Sequence, residues 1–544
     1  MPGICSRAPY SIERNSMNLL IITAVLILAM LARRFSDKIG LPSLLFFILL
    51  GMSFNLLGYQ FANYALADKI AKVSLMIIMF YGGFGTNWAM AKPVAKPAIV
   101  LSSLGVVATA FGTGLFAYMV LNMDVKEAML LGSVVGSTDF ASVLSILVSK
   151  NLNLKYRTAP LLELESGSND PAAYTMTMVF LALIAGSQVS VPLMLVKQVA
   201  FGLVLGWMMS KLTIRMIDIV NFQDNGLLTV LFTAIILGTF SLAELIGGNG
   251  YLALYVLGIF VGNKQFVGKR DIVFFFDGVS SLVQIGLFFL LGFLSDISML
   301  VPVLPIAFFI MMAMAVLIRP IVVFGLMLPF QLDRNQLWII SLSGLRGAAA
   351  IAFAILVVDS GVPVSIDIFH IVFGICLFSS LIQGSLMPVA TRKLDMLDPN
   401  DTVLKTFNYY QDKSDIGFIQ TTIGEGNRWI GSQIKDLNRA FDVIVAKIER
   451  DGKTLVAKGN TVIEEGDIIV LGGETHFDRT GHHLTEITLS PSHKWVNKRI
   501  AEIPMGDKEL ILMVHTREGD IVVPSGNTVL HADDRIVLIH EDEY

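Results

Sequence analysis

Four carboxylates, Asp139, Glu163, Glu165 and Asp170, fall among long apolar runs in the stretch from Gly132 to Pro171. An ionised carboxylate in hydrocarbon is costly, so such groups line an ion path or pair with a cation. Gly132, Gly136, Ser137 and Thr138 stand just before Asp139. Small residues there let a helix interrupt and turn carbonyls and hydroxyls toward a bound cation. Farther on, helical spacing puts Glu165 over Asn169 and Ser166 over Asp170. Pro171 lacks an amide hydrogen and releases a carbonyl of the preceding turn. Four such groups in forty residues mark a candidate ion site.

The elements that must carry these groups are membrane spans. Hydrophobic residues make up 54% of the 544 residues and charged ones 15%, and mean hydropathy is +0.68. That composition excludes an ordinary soluble enzyme. We divide the chain into an extension over 1–17, an all-α polytopic membrane domain over 18–392, a linker over 393–415, and two small α+β domains at 416–475 and 484–543. Met17 directly precedes the first apolar run and offers a second start. Cys5 and Cys376 support no disulfide framework.

Thirteen runs approach the roughly 20 residues needed to cross. They include 128–149 (fifth), 158–186 (sixth), 248–262 (ninth, Gly-rich and open to a re-entrant reading), 272–295, 300–328 and 335–358. Connections after odd-numbered runs carry most of the basic residues, among them Arg33, Arg34, Lys150, Lys155, Arg157, Lys269 and Arg270. Those after even-numbered runs hold only Lys69, Lys72, Lys126 and Lys197. The positive-inside rule then puts the odd exits and the tail in the cytoplasm and the N-terminus outside. The twelfth run is broken around Ser343, Gly344, Arg346 and Gly347, as the fifth is around Asp139. Two crossed broken helices in oppositely oriented halves point to an inverted-repeat transporter with a midplane site.

Arg346 is expected to hold the broken ends in register. Arg319, beside Pro320, stays protonated and calls for Glu165 or Glu163 as partner, unless it lies at the cytoplasmic edge. In the tenth run Asp277 is near the mouth and Gln284 deeper, with no lysine. Glu244 and the glycines of 247–250 read as an outer loop.

The tail is duplicated. Asp451-Gly452, Gly459-Asn460-Thr461 and Asp467 recur 67 residues later as Glu518-Gly519, Gly526-Asn527-Thr528 and Asp534. Each unit reads as a short amphipathic helix, a strand, a turn, a short strand and a last strand. No phosphate-binding glycine loop occurs, so an ATP-driven motor has no support.

The membrane half resembles the monovalent cation:proton antiporter family through GSTD at 136–139, ESGSNDP at 165–171 and GLRGA at 344–348. The resemblance implies that Asp170 alternately binds a cation and protons beside Asn169. It puts Glu165 and Ser166 nearby, and Thr138 and Asp139 at the unwound crossing opposite Arg346. It also implies a homodimer in the cytoplasmic (inner) membrane, with membrane lipid, protons and potassium or sodium as its partners and no nucleic acid. The tail resembles, twice, the C-terminal subdomain of potassium-conductance regulator domains. No cofactor is expected to be required. Cyclic di-AMP is a conceivable regulatory ligand of the tail, against a plain assembly scaffold. Potassium is favoured over sodium on the strength of that tail. Exchange is expected to be electroneutral, because Asn169 supplies no second carboxylate and Gln284 no lysine. Alternatives are a tail-gated cation channel, which lacks a TVGYG-like filter, a proton-coupled uptake carrier, and a membrane hydrolase, which lacks any HExxH metal site.

Overall fold

Asp and Asn residues set the helix starts. Asn63, Asp124, Asn249, Asp296, Asp333 and Asp367 each accept a hydrogen bond from a first-turn amide, satisfying donors that a helix leaves open at its N-terminus. The computed structural model describes residues 23–35, 43–57, 63–150, 152–187, 190–220, 225–398 and most of 416–540. It divides into two units, Met1–Lys413 and Ser414–Tyr544.

The first unit is helical throughout. We label its helices α1 (23–35), α2 (Ser43–Leu56), α3 (Tyr64–Gly85), α4 (Trp88–Leu121), α5 (Val125–Val134), α6 (Phe140–Ser149), α7 (Thr158–Ile184) and α8 (Val191–Val220). Then follow α9 (Asn225–Leu245), α10 (Gly250–Gly262), α11 (Lys269–Leu294), α12 (Ile297–Phe330), α13 (Arg334–Leu342), α14 (Ala348–Asp359) and α15 (Ile368–Lys393). Among the described residues six are long and apolar enough to cross a membrane: α4, α8, α9, α11, α12 and α15. Outward-facing Leu193, Val196, Val204, Trp207 and Met208 on α8 are exposed, an apolar face suited to lipid.

The Gly-rich ninth run is a regular helix, α10, and its glycines serve close packing. A Cβ added at Gly258 would lie 2.4 Å from the Phe80 carbonyl oxygen of α3, so only glycine permits this approach. Glu244 lies in the last turn of α9 and not in a loop, because the helix runs on to Leu245. Its carboxylate accepts from Gly250 N at 3.2 Å and from the Tyr174 hydroxyl at 3.2 Å.

Both expected breaks are present. The chain unwinds between α5 and α6 at Val135–Asp139, and between α13 and α14 at Ser343–Gly347. Widened π turns occur at Leu101–Gly105, Met314–Ile318 and Ser379–Gln383. The second immediately precedes Arg319 and Pro320, whose missing amide disturbs the helical ladder. After α15 the chain returns beside the loop ahead of α7, with Lys155 N donating to Met396 O at 2.9 Å and Asp398 N to Asn153 O at 2.9 Å. The exits of the fifth and thirteenth runs therefore share one side.

In the second unit two four-stranded antiparallel sheets repeat one topology. The first comprises β1 (Ile416–Thr422), β2 (Ile444–Arg450), β3 (Lys453–Leu455) and β4 (Ile468–Glu474), in the order β1-β4-β2-β3. The second, β5 (His483–Thr488), β6 (Glu509–His515), β7 (Ile521–Val522) and β8 (Arg535–His540), runs β5-β8-β6-β7. Even the irregularities match, with register shifts between Val445 and Lys447 and between Ile511 and Met513. The outer strands β1 and β5 add to the expected elements. In the second repeat the expected amphipathic helix from Trp495 is replaced over 495–503 by turns and a 3-10 helix at Ile500–Glu502; in the first, 429–433 are turn and bridge, 434–435 are helical, and the remainder at 436–443 lies outside the described residues. Arg450 grips Asp467 with two hydrogen bonds, at 2.7 and 2.8 Å.

Candidate functional site

The two unwound segments cross at close quarters. Asp139 N donates to Leu345 O at 2.8 Å, and Arg346 Nη1 donates to Ser137 O at 2.6 Å. A Cβ added at Gly347 would sit 2.0 Å from Asp139 Oδ2, so the crossing requires glycine here. Four helix ends meet, and their dipoles sort the charges. Asp139 stands at the start of α6, accepting from Ser142 N at 3.4 Å and from the Ser142 hydroxyl, with Gly347 at the start of α14 beside it. Arg346 stands where α5 and α13 end and offers its protons to freed carbonyls. Its own amide donates to Ser379 Oγ at 3.1 Å, and that hydroxyl donates to Gln383 Oε1 at 2.6 Å within the third π turn.

α7 lies against this crossing and supplies the remaining groups. Ser137 donates to Asp170 Oδ1. Asn169 Nδ2 donates to Thr138 Oγ1, which lies 3.0 Å from Ser166 Oγ. Ser166 Oγ in turn donates to Thr138 O at 2.6 Å. Asn169 and Asp170 are 0% and 5% exposed. The Asn169 side-chain oxygen is buried without a hydrogen-bond donor among the described residues. An unsatisfied buried acceptor among hydroxyls and a carboxylate is a costly arrangement for the protein alone. The same hard oxygen set suits a dehydrated alkali cation.

Thr138, Ser166, Asn169 and Asp170 are thus brought together, with Asp139 just behind them as a helix cap. Glu165 is turned elsewhere. Its Oε1 accepts from Arg319 Nη2 at 2.7 Å, and both side chains are 2% exposed. The partner of Arg319 is thus Glu165 rather than Glu163, and Arg319 is buried within the protein. Ser137 belongs to the cluster and was visible in the same GSTD motif. Asn249 had no comparable signal. It caps α10 and donates to Pro171 O at 2.8 Å and Thr175 Oγ1 at 3.0 Å, fixing α7 at its proline. Gln284 contacts Ser280 Oγ at 3.4 Å, and Asp277 accepts from the Tyr81 hydroxyl at 3.1 Å. No group of three or more His, Cys, Asp or Glu residues that could hold a metal ion occurs among the described residues.

Comparison with known proteins agrees with this arrangement. Residues 21–393 match the model of the sodium/hydrogen exchanger transmembrane family, and 418–476 and 484–543 each match the TrkA-C domain. The chain is 31% identical to a protein named K(+)/H(+) antiporter NhaP2 from Shewanella baltica, over 89% of this chain and 86% of that one. It is 30% identical to the K(+)/H(+) antiporter NhaP of Alkalimonas amylolytica, over 84% and 81%. The Na(+)/H(+) antiporter ApNhaP of Aphanothece halophytica is 26% identical, over 71% and 76%. Among solved structures, the sodium proton antiporter MjNhaP1 of Methanocaldococcus jannaschii superposes with a TM-score of 0.63 at 22% identity, covering 70% of this chain and 99% of that one. A broken-helix crossing, a buried Asn-Asp pair and a match across the whole membrane unit place this chain in the sodium/hydrogen exchanger family, as a cation/proton antiporter of the NhaP type bearing two TrkA-C domains.

Proposed function

We propose that this chain exchanges one monovalent cation, potassium in preference to sodium, for one proton, with Asp170 binding each in turn. The side-chain oxygen of Asn169, buried with no donor among the described residues and next in sequence to Asp170, carries this reading, because it adds a neutral oxygen ligand to the carboxylate for a bound cation. Thr138 and Ser166 add hydroxyl oxygens to the same cluster. Asp139 and Arg346 neutralise the four helix ends, and Arg319 with Glu165 braces α7 against α12. Exchange is electroneutral on this account: the cluster holds one titrating carboxylate, and Gln284 stands in α11 where a lysine would carry a further proton.

Potassium is favoured by the names of the relatives from Shewanella and Alkalimonas and by the tandem TrkA-C tail, while the more distant relative from Aphanothece is named for sodium. The tail regulates exchange without supplying its chemistry, since the cluster lies wholly within the first unit. The proposed assembly is a homodimer in the inner membrane, with thirteen crossings, the N-terminus outside and the tail in the cytoplasm. The shared side of the fifth and thirteenth exits supports that topology. Proton movement in sealed proteoliposomes, titrated separately with potassium, sodium, rubidium and lithium at fixed pH, tests selectivity. Half-saturation by potassium below that by sodium is expected. A sodium value lower than potassium's by about tenfold, or about 1.4 kcal/mol, would overturn the choice of ion.

A further inference from the structure

Glu163 is a buried carboxyl that the exchange site leaves unused. It is 6% exposed, and its Oε1 has no hydrogen-bond partner. Among the described residues it forms no ion pair, and its polar neighbour is the Thr86 hydroxyl at the end of α3. Thr86 donates its own proton to Gly82 O at 2.8 Å, so its oxygen remains open as an acceptor. The Tyr255 phenol of α10 also lies beside Thr86. It is 3% exposed, and its hydroxyl oxygen, like Glu163 Oε1, reaches hydrogen-bond geometry with no group among the described residues.

Helix geometry puts this pair on the route to Asp170. Glu163 and Asp170 are seven residues apart, two turns along one face of α7, a rise of about 10 Å. Gly167 lies between them on that face, and a Cβ added there would be 3.0 Å from the Tyr255 hydroxyl oxygen. The phenol therefore stands over the gap between the two carboxyls. Pro171 has no amide for the Gly167 carbonyl, so a further acceptor lies beneath the phenol. Glu165, two residues on from Glu163, points away toward Arg319. On the far side of Asp170, Tyr174 packs on Tyr251 at 5.0 Å between centroids and Phe240 on Tyr251 at 4.9 Å, and the polar groups there are already engaged: Thr175 donates to Gln198 Oε1 at 2.8 Å, and Asn249 donates to Pro171 O and Thr175 Oγ1. Polar groups continue from Asp170 toward the Thr158 end of α7, the end that follows the basic loop.

We propose that Glu163 and Tyr255 form a proton relay between Asp170 and the water on the Thr158 side, separate from the cation-binding oxygens. As a cation enters, the Asp170 proton passes to the Tyr255 oxygen, over one water where the gap requires it, while the phenol's own proton passes to the Glu163 carboxylate. The Tyr255 oxygen gains one proton as it gives up the other and so stays a neutral phenol; its O–H turns back toward its starting direction as α7 moves against α3 and α10, and Glu163 releases the proton to water. Nothing is oxidised or reduced, and the proton count is conserved. The inference rests on the exchange function proposed for Asp170.

The test uses the full chain in proteoliposomes, with Glu163→Gln, Glu163→Asp, Tyr255→Phe and Asp170→Asn compared across pH. Glu163→Gln should lower the maximal exchange rate at least about tenfold while the half-saturating potassium concentration stays within about threefold. Its solvent deuterium isotope effect should rise, Glu163→Asp should recover much of the rate, and Tyr255→Phe should slow exchange in the same way. Wild-type rate and isotope effect in Glu163→Gln would overturn the relay, as would a large rise in half-saturating potassium at unchanged rate, which would make Glu163 a second cation ligand. Should Glu163→Gln fail to fold, Tyr255→Phe decides. Loss of exchange in Asp170→Asn alongside normal Glu163 and Tyr255 variants would refute the relay and keep the exchange site, whereas normal exchange by Asp170→Asn would refute the site itself.

Discussion

Replacing Glu165 by glutamine keeps shape and removes one charge from a pair that water does not reach. Arg319 and Glu165 are joined by a single hydrogen bond of 2.7 Å with both side chains 2% exposed, and Arg319 Nε and Nη1 have no partner among the described residues. The guanidinium thus depends on one carboxylate for its compensation. Removing one member of such a buried pair costs about 3–5 kcal/mol, because the other charge is stranded. Replacing both by apolar groups of similar size is often neutral. Glu165→Gln, Glu165→Leu and Arg319→Met should therefore each destabilise the purified protein by roughly that amount, and Glu165→Leu combined with Arg319→Met should restore most of it. The assay is thermal unfolding in detergent for the four corners of the double-mutant cycle, with a coupling of about 3 kcal/mol expected. Additive losses, or a Glu165→Gln protein as stable as the parent, would show that the pair does not hold α7 to α12.

At the crossing, Gly347→Ala should abolish exchange and lower stability together, since its methyl would lie 2.0 Å from Asp139 Oδ2; transport rate and melting temperature of the reconstituted variant check this. In the tail, the Arg450 guanidinium hydrogen-bonded to Asp467 holds that carboxyl below its usual range. A depressed folded value contributes stability above the unfolded value of about 3.9 that is lost as pH falls through the folded one. Protection factors of β2 and β4 amides in the full chain, referred to the intrinsic rate at each pH, should accordingly fall from about pH 4 downward, and Asp467→Asn should show the lower protection already at neutral pH with little further change in acid. Truncation after about residue 400 should preserve saturable exchange and alter its dependence on pH or ionic conditions, and complete loss from a correctly inserted chain would contradict the separation of tail from chemistry.

The chemistry was legible where residue type and spacing act together. Carboxylates in apolar runs, small residues at Asp139 and Arg346, and a repeat interval of 67 residues led to the broken crossing and to two sheets of one topology. The choice between Glu163 and Glu165 was not legible: residues two apart face opposite sides of a helix, and only tertiary packing shows which side holds Arg319. Tyr255 lies in an apolar run with nothing nearby in sequence to mark it, because its partners come from α3 and α7. Glu244 read as loop from the glycines that follow, yet the helix stop is set by Gly247, with φ +77, and the next helix is capped by Asn249.

The central claim is that one carboxylate, Asp170, holds the proton and the cation in turn. It is tested most directly by adding potassium to the purified full chain in weakly buffered detergent solution and measuring the protons released. The account predicts saturable release approaching one proton per bound cation, and neither release nor potassium binding in Asp170→Asn. Potassium binding without proton release in the parent, or undiminished release in Asp170→Asn, would contradict it.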